Sequence, residues 1–141
     1  GIGKMGKSEG ECNAIFLIDD EKTIRKKVMR AVTDSGPTEP NSAKPDAIQN
    51  LFTLMSIMSK PETVQFFEEA WNNCSIRYGD MKKQLAEDIV TFVAPLRERI
   101  MEYAANDELI KRAARIGAEK ARESAAKTVR EVREIIGFKH F

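Results

Sequence analysis

Lys4 and Lys7 are the residues in this sequence with the clearest capacity for chemistry, and Ser8 follows them directly. Gly6 lies between the two lysines and loosens the backbone around them. Two ammonium groups and a hydroxyl on such a loop can follow a polyphosphate while charge moves through it, and so stabilise a transition state. The spacing predicts a phosphate-binding loop. A flexible basic terminus is the alternative.

Residues 1–8 also fit the pattern G-x-x-x-x-G-K-[ST] of a P-loop, and the apolar run ending at Asp19 imitates the strand that follows one. A P-loop needs a strand before the glycine turn and a helix after it, because the helix N–H groups cradle the phosphates. Residues 9–13 show no helical periodicity, and the stretch up to Asp19 is shorter than a crossover between parallel strands, roughly a dozen residues. A P-loop hydrolase is therefore disfavoured, and it would also require a strand ahead of Gly1.

The composition is that of one globular domain with an appendage. Of 141 residues, 42% are hydrophobic and 32% charged, and the formal net charge is +1. Because the net charge is this small, bulk charge does not by itself indicate a nucleic-acid binder. Both ends of the chain are mildly basic and the middle is acidic. Cys12, Cys74 and His140 stand in no metal-binding spacing, and we predict no metal site. No apolar run approaches the roughly 18 residues of a membrane span, and no signal peptide is visible, so we expect a cytoplasmic protein with no membrane partner.

Hydrophobic periodicity predicts short elements at the amino end. The apolar run Asn13–Ile18 predicts one brief strand. Asp19 or Asp20 then caps a helix over Glu21–Thr33, with apolar positions at helical spacing. The segment Pro37–Pro45 contains three of the five prolines and predicts a linker.

Helices alone are expected after the linker. Their apolar and aromatic stripes recur every three or four residues, which indicates a shared core and not a cofactor site. Pro95 lies inside the third of them and predicts a bend. The fold class is therefore mainly α, a helical bundle preceded by a loop, one short strand and a linking helix. The predicted helices cover residues 45–58, 61–71, 78–103 and 106–136.

The last predicted helix combines small residues on one side with cations on its other faces. Ala113, Gly117 and Ala121 belong to a stripe of small residues that would let another helix approach closely. The cations alternate with carboxylates. They are typical either of a solvated surface or of a surface that follows an RNA backbone.

Several motifs, taken in order, resemble the C-terminal part of bacterial-type tryptophanyl-tRNA synthetases. Lys4-Met5-Gly6-Lys7-Ser8 resembles the KMSKS loop of class I synthetases, with Gly6 in place of the middle serine. Tyrosyl enzymes share that loop, whereas Ala31–Ser35 favours tryptophan. The alternatives are a tyrosyl-type fragment and a stand-alone helical interaction module. The resemblance also rests on Asn13–Asp20, Lys22–Ile24, Asn50–Leu51, Tyr78–Lys82, Leu85–Ala86, Pro95–Arg99 and Gly117–Ala121.

The resemblance implies a division of the chain and a reaction. Residues 1–36 would be the edge of a catalytic domain, 37–45 a linker and 46–141 a helical anticodon-binding domain. The parent enzyme would activate tryptophan with ATP and Mg²⁺, transfer it to tryptophan tRNA and form a homodimer. Because the HIGH-like motif of the family would lie ahead of residue 1, we expect this chain alone to be inactive.

The resemblance also implies roles for particular residues. Lys4 and Lys7 would be catalytic, binding the β- and γ-phosphates of ATP and neutralising charge on the departing pyrophosphate. Met5, Gly6 and Ser8 would complete the cradle. Loss of the motif serine at Gly6 removes one hydroxyl. The candidates for tRNA contact are Arg99, Lys111, Arg112, Arg115, Lys120 and Arg122.

Overall fold

The computed structural model describes residue 10 and residues 14–138, and these form five α-helices. Helix α1 comes before the proline-rich segment, and the other four come after it. This confirms the mainly α fold class. The helices are α1 Glu21–Met29, α2 Asp46–Met58, α3 Pro61–Asn72, α4 Tyr78–Ala104 and α5 Asp107–Ile135.

Local chemistry explains where the helices begin. The carboxylate of Asp20 accepts a hydrogen bond of 2.7 Å from the Thr23 amide, which satisfies one of the free N–H groups at the start of α1. The Asn106 side chain does the same for α5, at 3.2 Å from the Leu109 amide. Pro61 occupies the first turn of α3, where its missing N–H costs nothing. The predicted caps of α1 and α5 are therefore confirmed.

The strand predicted over Asn13–Ile18 is wrong. Residue 13 lies outside the described residues, and residues 14–18 form a bend and a turn. The Asp19 amide donates to the Phe16 carbonyl at 3.0 Å, and the Phe16 amide donates to the Asp19 carboxylate at 2.9 Å. A strand exists only through hydrogen bonds to a neighbouring strand, and the part of the chain that the structure describes contains no strand.

Helix α1 ends at Met29, four residues before the predicted end at Thr33. The apolar spacing of Ala31 and Val32 continues the helical pattern, but Val32 is exposed. Tertiary contacts override the pattern here. The Ala31 carbonyl accepts a hydrogen bond from Lys82 on α4, and the following residues turn through Gly36, which has a φ of 99°.

Helices α1 to α4 share one hydrophobic core. Trp71 and Phe52 meet edge to face at its centre, with ring centroids 6.4 Å apart. The apolar positions predicted for α2, α3 and α4 are buried or half-buried, except that Phe92 and Tyr103 of α4 are exposed. The apolar positions predicted for α5, Val129, Val132 and Ile136, are exposed. The buried apolar residues are Ile24, Val28, Ile48, Leu51, Phe52, Met55, Phe67, Trp71, Met81, Leu85, Ala86, Ile89, Val90 and Val93.

The proline-rich segment 37–45 packs against α3. The indole N–H of Trp71 donates to the Ser42 carbonyl at 2.9 Å, and the Asn41 amide donates to the Asn72 carbonyl at 3.2 Å. The Lys44 ammonium pairs with Glu68 at 2.6 Å and lies 4.5 Å from the centroid of the Phe52 ring. This segment is therefore bonded to the core and does not separate two cores.

The chain divides into two compact units, one ending at Glu98 and the other beginning at Arg99. The division falls within α4. In the second unit no residue of α5 is buried, so its small-residue stripe and apolar positions such as Ile110 are open to solvent in this structure. The functional division at residues 37–45 stays a prediction.

Candidate functional site

The predicted phosphate loop, Lys4, Met5, Gly6, Lys7 and Ser8, lies outside the described residues. The structure describes the segment that follows it from residue 14 onward. We call residues 14–20 the anchor segment, because side chains of two helices bind it.

Lys27 of α1 binds one side of the anchor segment. Its ammonium lies 2.6 Å from the Asp19 carboxylate and 2.8 Å from the Ala14 carbonyl, and 4.7 Å from the centroid of the Phe16 ring. Both charged side chains are only 12% exposed, so water screens their attraction less than at an open surface. Because the same carboxylate oxygen also accepts the Phe16 amide, this ion pair holds the turn in a fixed position on α1.

Arg97 of α4 binds the other side of the anchor segment. Its Nε donates a hydrogen bond of 3.1 Å to the Ile18 carbonyl. Hydrogen bonds from Thr23 hold the pKa of Asp20 below its usual range, and the charges of Arg97 and Lys22 add to this effect. The anchor segment therefore lies between a lysine of α1 and an arginine of α4.

Helix α1 is joined to the middle of α4 by a two-point ion pair. The Arg25 guanidinium donates to both oxygens of Glu87, at 2.7 and 3.0 Å, and a further nitrogen donates to Glu21 at 2.9 Å. The hydrogen bonds from Arg25 lower the pKa of Glu87, and those from Glu87 and then Glu21 raise the pKa of Arg25. Both partners are well exposed, so this pair fixes geometry more than it stabilises the fold.

The start of α4 holds the chain that leaves α1. Lys82 is buried, and its ammonium donates to the Ala31 carbonyl at 2.7 Å and to the Thr33 hydroxyl at 3.1 Å. The Tyr78 hydroxyl donates to Asp34 at 2.5 Å. Burial lowers the pKa of Lys82, whereas burial and then Asp34 raise the pKa of Tyr78.

As the residue numbers rise along α4, the numbers of the residues that α4 binds fall. Tyr78, Lys82, Glu87 and Arg97 of α4 bind residues 34, 31 and 33, 25 and 18 respectively. Residues 18–34 therefore run antiparallel to α4 over most of its length. Sequence reasoning assigned no role to Lys82 or Arg97, although both belong to motifs that carry the family resemblance.

The predicted RNA-contact residues lie at the end of α4 and on α5, and all are exposed. Arg99 lies at the end of α4. Lys111, Arg115 and Arg122 share one face of α5, because spacings of four and eleven residues bring side chains to the same side of a helix. Arg112 and Lys120 point to other faces. Helix geometry therefore puts three of the six candidates on one face, and Arg112 meets one of them, Arg115, at a cleft.

The first of these cations, Lys111, is partly neutralised by neighbours. Its ammonium lies 3.6 Å from carboxylate oxygens of both Asp107 and Glu108. Arg112 and Arg115 line an open cleft of about 450 Å³ with Asn106, Glu108 and Leu109. Neither arginine has an ion-pair partner among the described residues, so both charges are available to a phosphate.

Residues 10 and 14–138 contain no group of three or more histidine, cysteine or acidic side chains placed to hold a metal ion. Within the same part of the chain, no helix has the length and apolar character needed to cross a membrane.

The helical fold is that of the C-terminal helical region of a class I aminoacyl-tRNA synthetase. The family model described as tRNA synthetases class I (W and Y) matches residues 1–94. The chain therefore belongs to this family.

Three similar proteins are all tryptophan enzymes. The chain is 60% identical, over 139 residues, to the tryptophan–tRNA ligase of Porphyromonas gingivalis, covering 99% of this chain and 42% of that protein. It is 40% identical over 136 residues to the Listeria monocytogenes enzyme, covering 95% of the chain and 40% of the relative. The crystal structure of tryptophanyl-tRNA synthetase from Campylobacter jejuni superposes with a TM-score of 0.75 at 26% identity, over 96% of this chain and 42% of that one. The chain thus spans about two fifths of the length of these relatives.

Proposed function

We propose that this chain is the C-terminal part of a tryptophan–tRNA ligase, which activates tryptophan with ATP and transfers it to tryptophan tRNA. The observation that carries the proposal is the 60% identity to a relative of that name along 139 residues. The family model covers tryptophan and tyrosine enzymes alike. The names of the three similar proteins favour tryptophan over the tyrosyl alternative and over a stand-alone helical module.

Lys4 and Lys7 would act at the ATP phosphates. Their ammonium groups would neutralise the charge that builds on pyrophosphate as the tryptophan carboxylate displaces it, and Met5, Gly6 and Ser8 would complete the cradle. This charge stabilisation is worth more in the transition state than in the bound substrate, so it raises the rate of activation. Mg²⁺ would arrive with ATP.

The anchor segment supports this role by its geometry. Lys27 and Arg97 bind it from two helices, so the chain that leads out of the phosphate loop has a defined starting position. A catalytic group works only when it is held within a fraction of an ångström of its target. Lys27 and Arg97 are therefore positioning residues in this proposal.

The exposed cations of α4 and α5 would contact the tRNA. Arg99, Lys111, Arg112, Arg115, Lys120 and Arg122 are the candidates, and phosphates are their expected targets. The full-length protein would form a homodimer and act in the cytoplasm.

The test is pyrophosphate exchange by the full-length protein that contains this chain. Exchange should depend on tryptophan and not on tyrosine. Lys7→Met should lower kcat by about 100-fold or more, because one preorganised charge is lost from the transition state. The isolated 141-residue chain should show no exchange. Tyrosine-dependent exchange would replace the tryptophan proposal with the tyrosyl one. Turnover by the isolated chain would contradict the prediction that this chain alone is inactive.

A further inference from the structure

A small cleft opens between the end of α3 and the start of α4. The chain turns sharply there, because Cys74 has a left-handed backbone with a φ of 53° and the Ser75 amide donates back to the Ala70 carbonyl at 2.8 Å. The volume of the cleft is about 260 Å³, below the roughly 300–1,000 Å³ of pockets that hold drug-sized ligands. It therefore has room for one small molecule. We call it the α3–α4 cleft.

The apolar side of the cleft comes from one face of α3. Phe66, Ala70 and Asn73 lie four and three residues apart, so their side chains share that face. Phe66 is 64% exposed, and its ring stands edge-on to buried Phe67 with the centroids 5.1 Å apart. This contact supports one side of the Phe66 ring and leaves the other open. A second aromatic ring placed there would leave water and gain the offset or edge contact that aromatic pairs prefer.

The start of α4 brings both signs of charge to the same cleft. Arg77 lies immediately before α4, and Asp80 lies in its first turn. Both side chains are exposed, and neither forms a hydrogen bond or ion pair with another residue that the structure describes. A guanidinium can bind both oxygens of a carboxylate, and a carboxylate can accept hydrogen bonds from an ammonium group. The cleft thus offers a partner for each charge of a ligand that carries both.

We propose that the α3–α4 cleft binds a free aromatic α-amino acid in its zwitterionic form. Arg77 binds the carboxylate of the amino acid, Asp80 accepts hydrogen bonds from its ammonium group, and its aromatic side chain packs on the open surface of Phe66. The ligand carboxylate also lies near the start of α4, where the helix dipole favours negative charge. The inference goes beyond the proposed ligase function and does not rest on it, because it concerns only the cleft formed by residues 66–80.

The mixture of charges favours a zwitterion over an anion or a cation. A chain of phosphates would meet the carboxylates of Glu69 and Asp80, and a cation without a carboxylate would meet the guanidinium of Arg77. One oxygen of Glu69 already accepts a hydrogen bond of 2.9 Å from the Gln65 side chain. Asp80 is therefore the carboxylate that remains for an ammonium group. An amino acid with an apolar ring satisfies the cation, the carboxylate and the exposed ring together.

The affinity should be modest, because the cleft is open and its charged groups are exposed. Exposed ion pairs contribute little to binding, and a ligand with few atoms has few contacts to make. For L-phenylalanine we therefore expect a Kd of about 1 mM.

The test is a titration of the nitrogen-15-labelled 141-residue chain with L-phenylalanine, followed by the NMR signals of its backbone amides. Signals of residues 66–80 should shift and reach saturation. Three analogues separate the contacts, since phenylalaninamide lacks the carboxylate, phenylpropionate lacks the ammonium group and L-alanine lacks the ring. Each should bind about three- to tenfold more weakly than phenylalanine.

Two variants test the named residues, and the same spectra show whether each variant is folded. Arg77→Gln should bind phenylalanine and phenylalaninamide with equal affinity, because the partner of the carboxylate is gone. Lys83→Gln removes an exposed cation of α4 outside the cleft and should keep the unchanged preference for phenylalanine over its amide. Phe66→Leu should lose the preference for phenylalanine over L-alanine by about two- to tenfold. Phe92→Leu, which changes an exposed phenylalanine outside the cleft, should keep that preference.

Three outcomes would overturn the cleft proposal. The first is the absence of saturable shifts at residues 66–80. The second is equal binding of phenylalanine, its amide and phenylpropionate, since the cleft would then recognise only a ring. The third is an equal loss of preference in Arg77→Gln and Lys83→Gln, since bulk charge would then attract the ligand. All three leave tryptophan-dependent exchange by the full-length protein untouched, so the proposed ligase function is tested separately.

Discussion

The ammonium of Lys82 donates a hydrogen bond of 2.7 Å to the carbonyl of Ala31, just beyond the end of α1. The side chain crosses from α4 through the edge of the core and is 7% exposed. A cation at this place satisfies a carbonyl that the helix leaves free and lies at the negative end of the helix dipole. Lys82 therefore helps to decide where α1 ends.

Replacing Lys82 with methionine should destabilise the fold. Methionine keeps the volume of the stem but leaves the Ala31 carbonyl and the Thr33 hydroxyl without their donor, at a cost of about 1–3 kcal/mol. Urea unfolding at neutral pH measures this loss. Lys83→Met is the matched control, since Lys83 is the exposed neighbour on the same helix, and its unfolding free energy should change by less than about 0.5 kcal/mol. Equal losses in the two variants would contradict the role of Lys82.

The free energy of unfolding of the unchanged chain and of Lys82→Met should also depend differently on pH. Burial lowers the pKa of Lys82, so between its folded value and the unfolded value near 10.4 the unfolded chain binds more protons. The contribution of this lysine to the free energy of unfolding therefore rises with pH in that window. The difference between the unchanged chain and Lys82→Met should grow as the pH is raised toward about 10. A constant difference would mean that Lys82 titrates normally.

Tyr78→Phe should remove the contribution of the Tyr78–Asp34 hydrogen bond to the free energy of unfolding, a contribution that is lost at both acidic and alkaline pH. Hydrogen bonding from Tyr78 lowers the pKa of Asp34, so its contribution is present above about pH 4 and disappears as pH falls through the folded value. The pKa of Tyr78 is raised, so the contribution also disappears as pH rises above about 10. Because Asp34 is exposed, we expect about 0.5–1 kcal/mol at neutral pH.

The control for this pair is the other tyrosine of the chain. Tyr103 is 49% exposed, and its hydroxyl has no hydrogen-bond partner among the described residues. Tyr103→Phe should have the same unfolding free energy as the unchanged chain across the pH range. A Tyr78→Phe deficit that persists unchanged at pH 3 would show that packing, and not the bond to Asp34, is responsible.

Cys74→Gly should stabilise the protein. Cys74 has a φ of 53°. The Cys74 amide donates a hydrogen bond to the Trp71 carbonyl and the Ser75 amide donates one to the Ala70 carbonyl. These are the hydrogen bonds of a Schellman motif, in which glycine usually occupies the position of Cys74. Removing the Cβ relieves about 1–2 kcal/mol of left-handed strain, partly offset by the greater freedom of glycine when unfolded, so a gain of about 0.5–1 kcal/mol is expected. Thermal unfolding measures it. Cys74→Ala keeps the Cβ and should show no gain.

The double variant Arg115→Gln, Arg122→Gln should bind tRNA with a weaker salt dependence. Each lost phosphate contact lowers the slope of log affinity against log salt by about one, so the slope should fall by about one to two. The loss should be equal for tryptophan tRNA and for an anticodon-altered version, because phosphates carry no sequence information. The control Lys60→Gln, Lys83→Gln removes the same charge from the residue just before α3 and from α4. Equal slopes in the two double variants would exclude a specific contact by α5.

The sequence predicts the helices well because their signals are local. The start of α3 at Pro61, the cap at Asn106 and the end of α5 near Gly137 follow from single residues with strong preferences. The strand at residues 13–18 failed because pairing is not local. The early end of α1 depends on Lys82, which lies far away along the chain.

The same contrast between local signals and long-range contacts applies to the candidate sites. The sequence supplies six cations as RNA-contact candidates without assigning them to a face; Lys111, Arg115 and Arg122 share a face of α5 because they stand four and eleven residues apart on one helix. Nothing in the sequence places Arg97 beside Ile18, because that contact depends on how the helices pack. The exposure of Phe92 was missed for a related reason, since helical spacing allows a residue at the edge of a stripe to face either way.

The bond between Trp71 and the Ser42 carbonyl gives this protein an intrinsic optical reporter. Trp71 is the sole tryptophan of the sequence, and its indole is buried against the segment 37–45. Any event that lifts that segment from α3 would admit water to the indole and shift its emission toward longer wavelengths. The docking of one stretch of backbone can therefore be followed by ultraviolet fluorescence in real time, without attaching a dye.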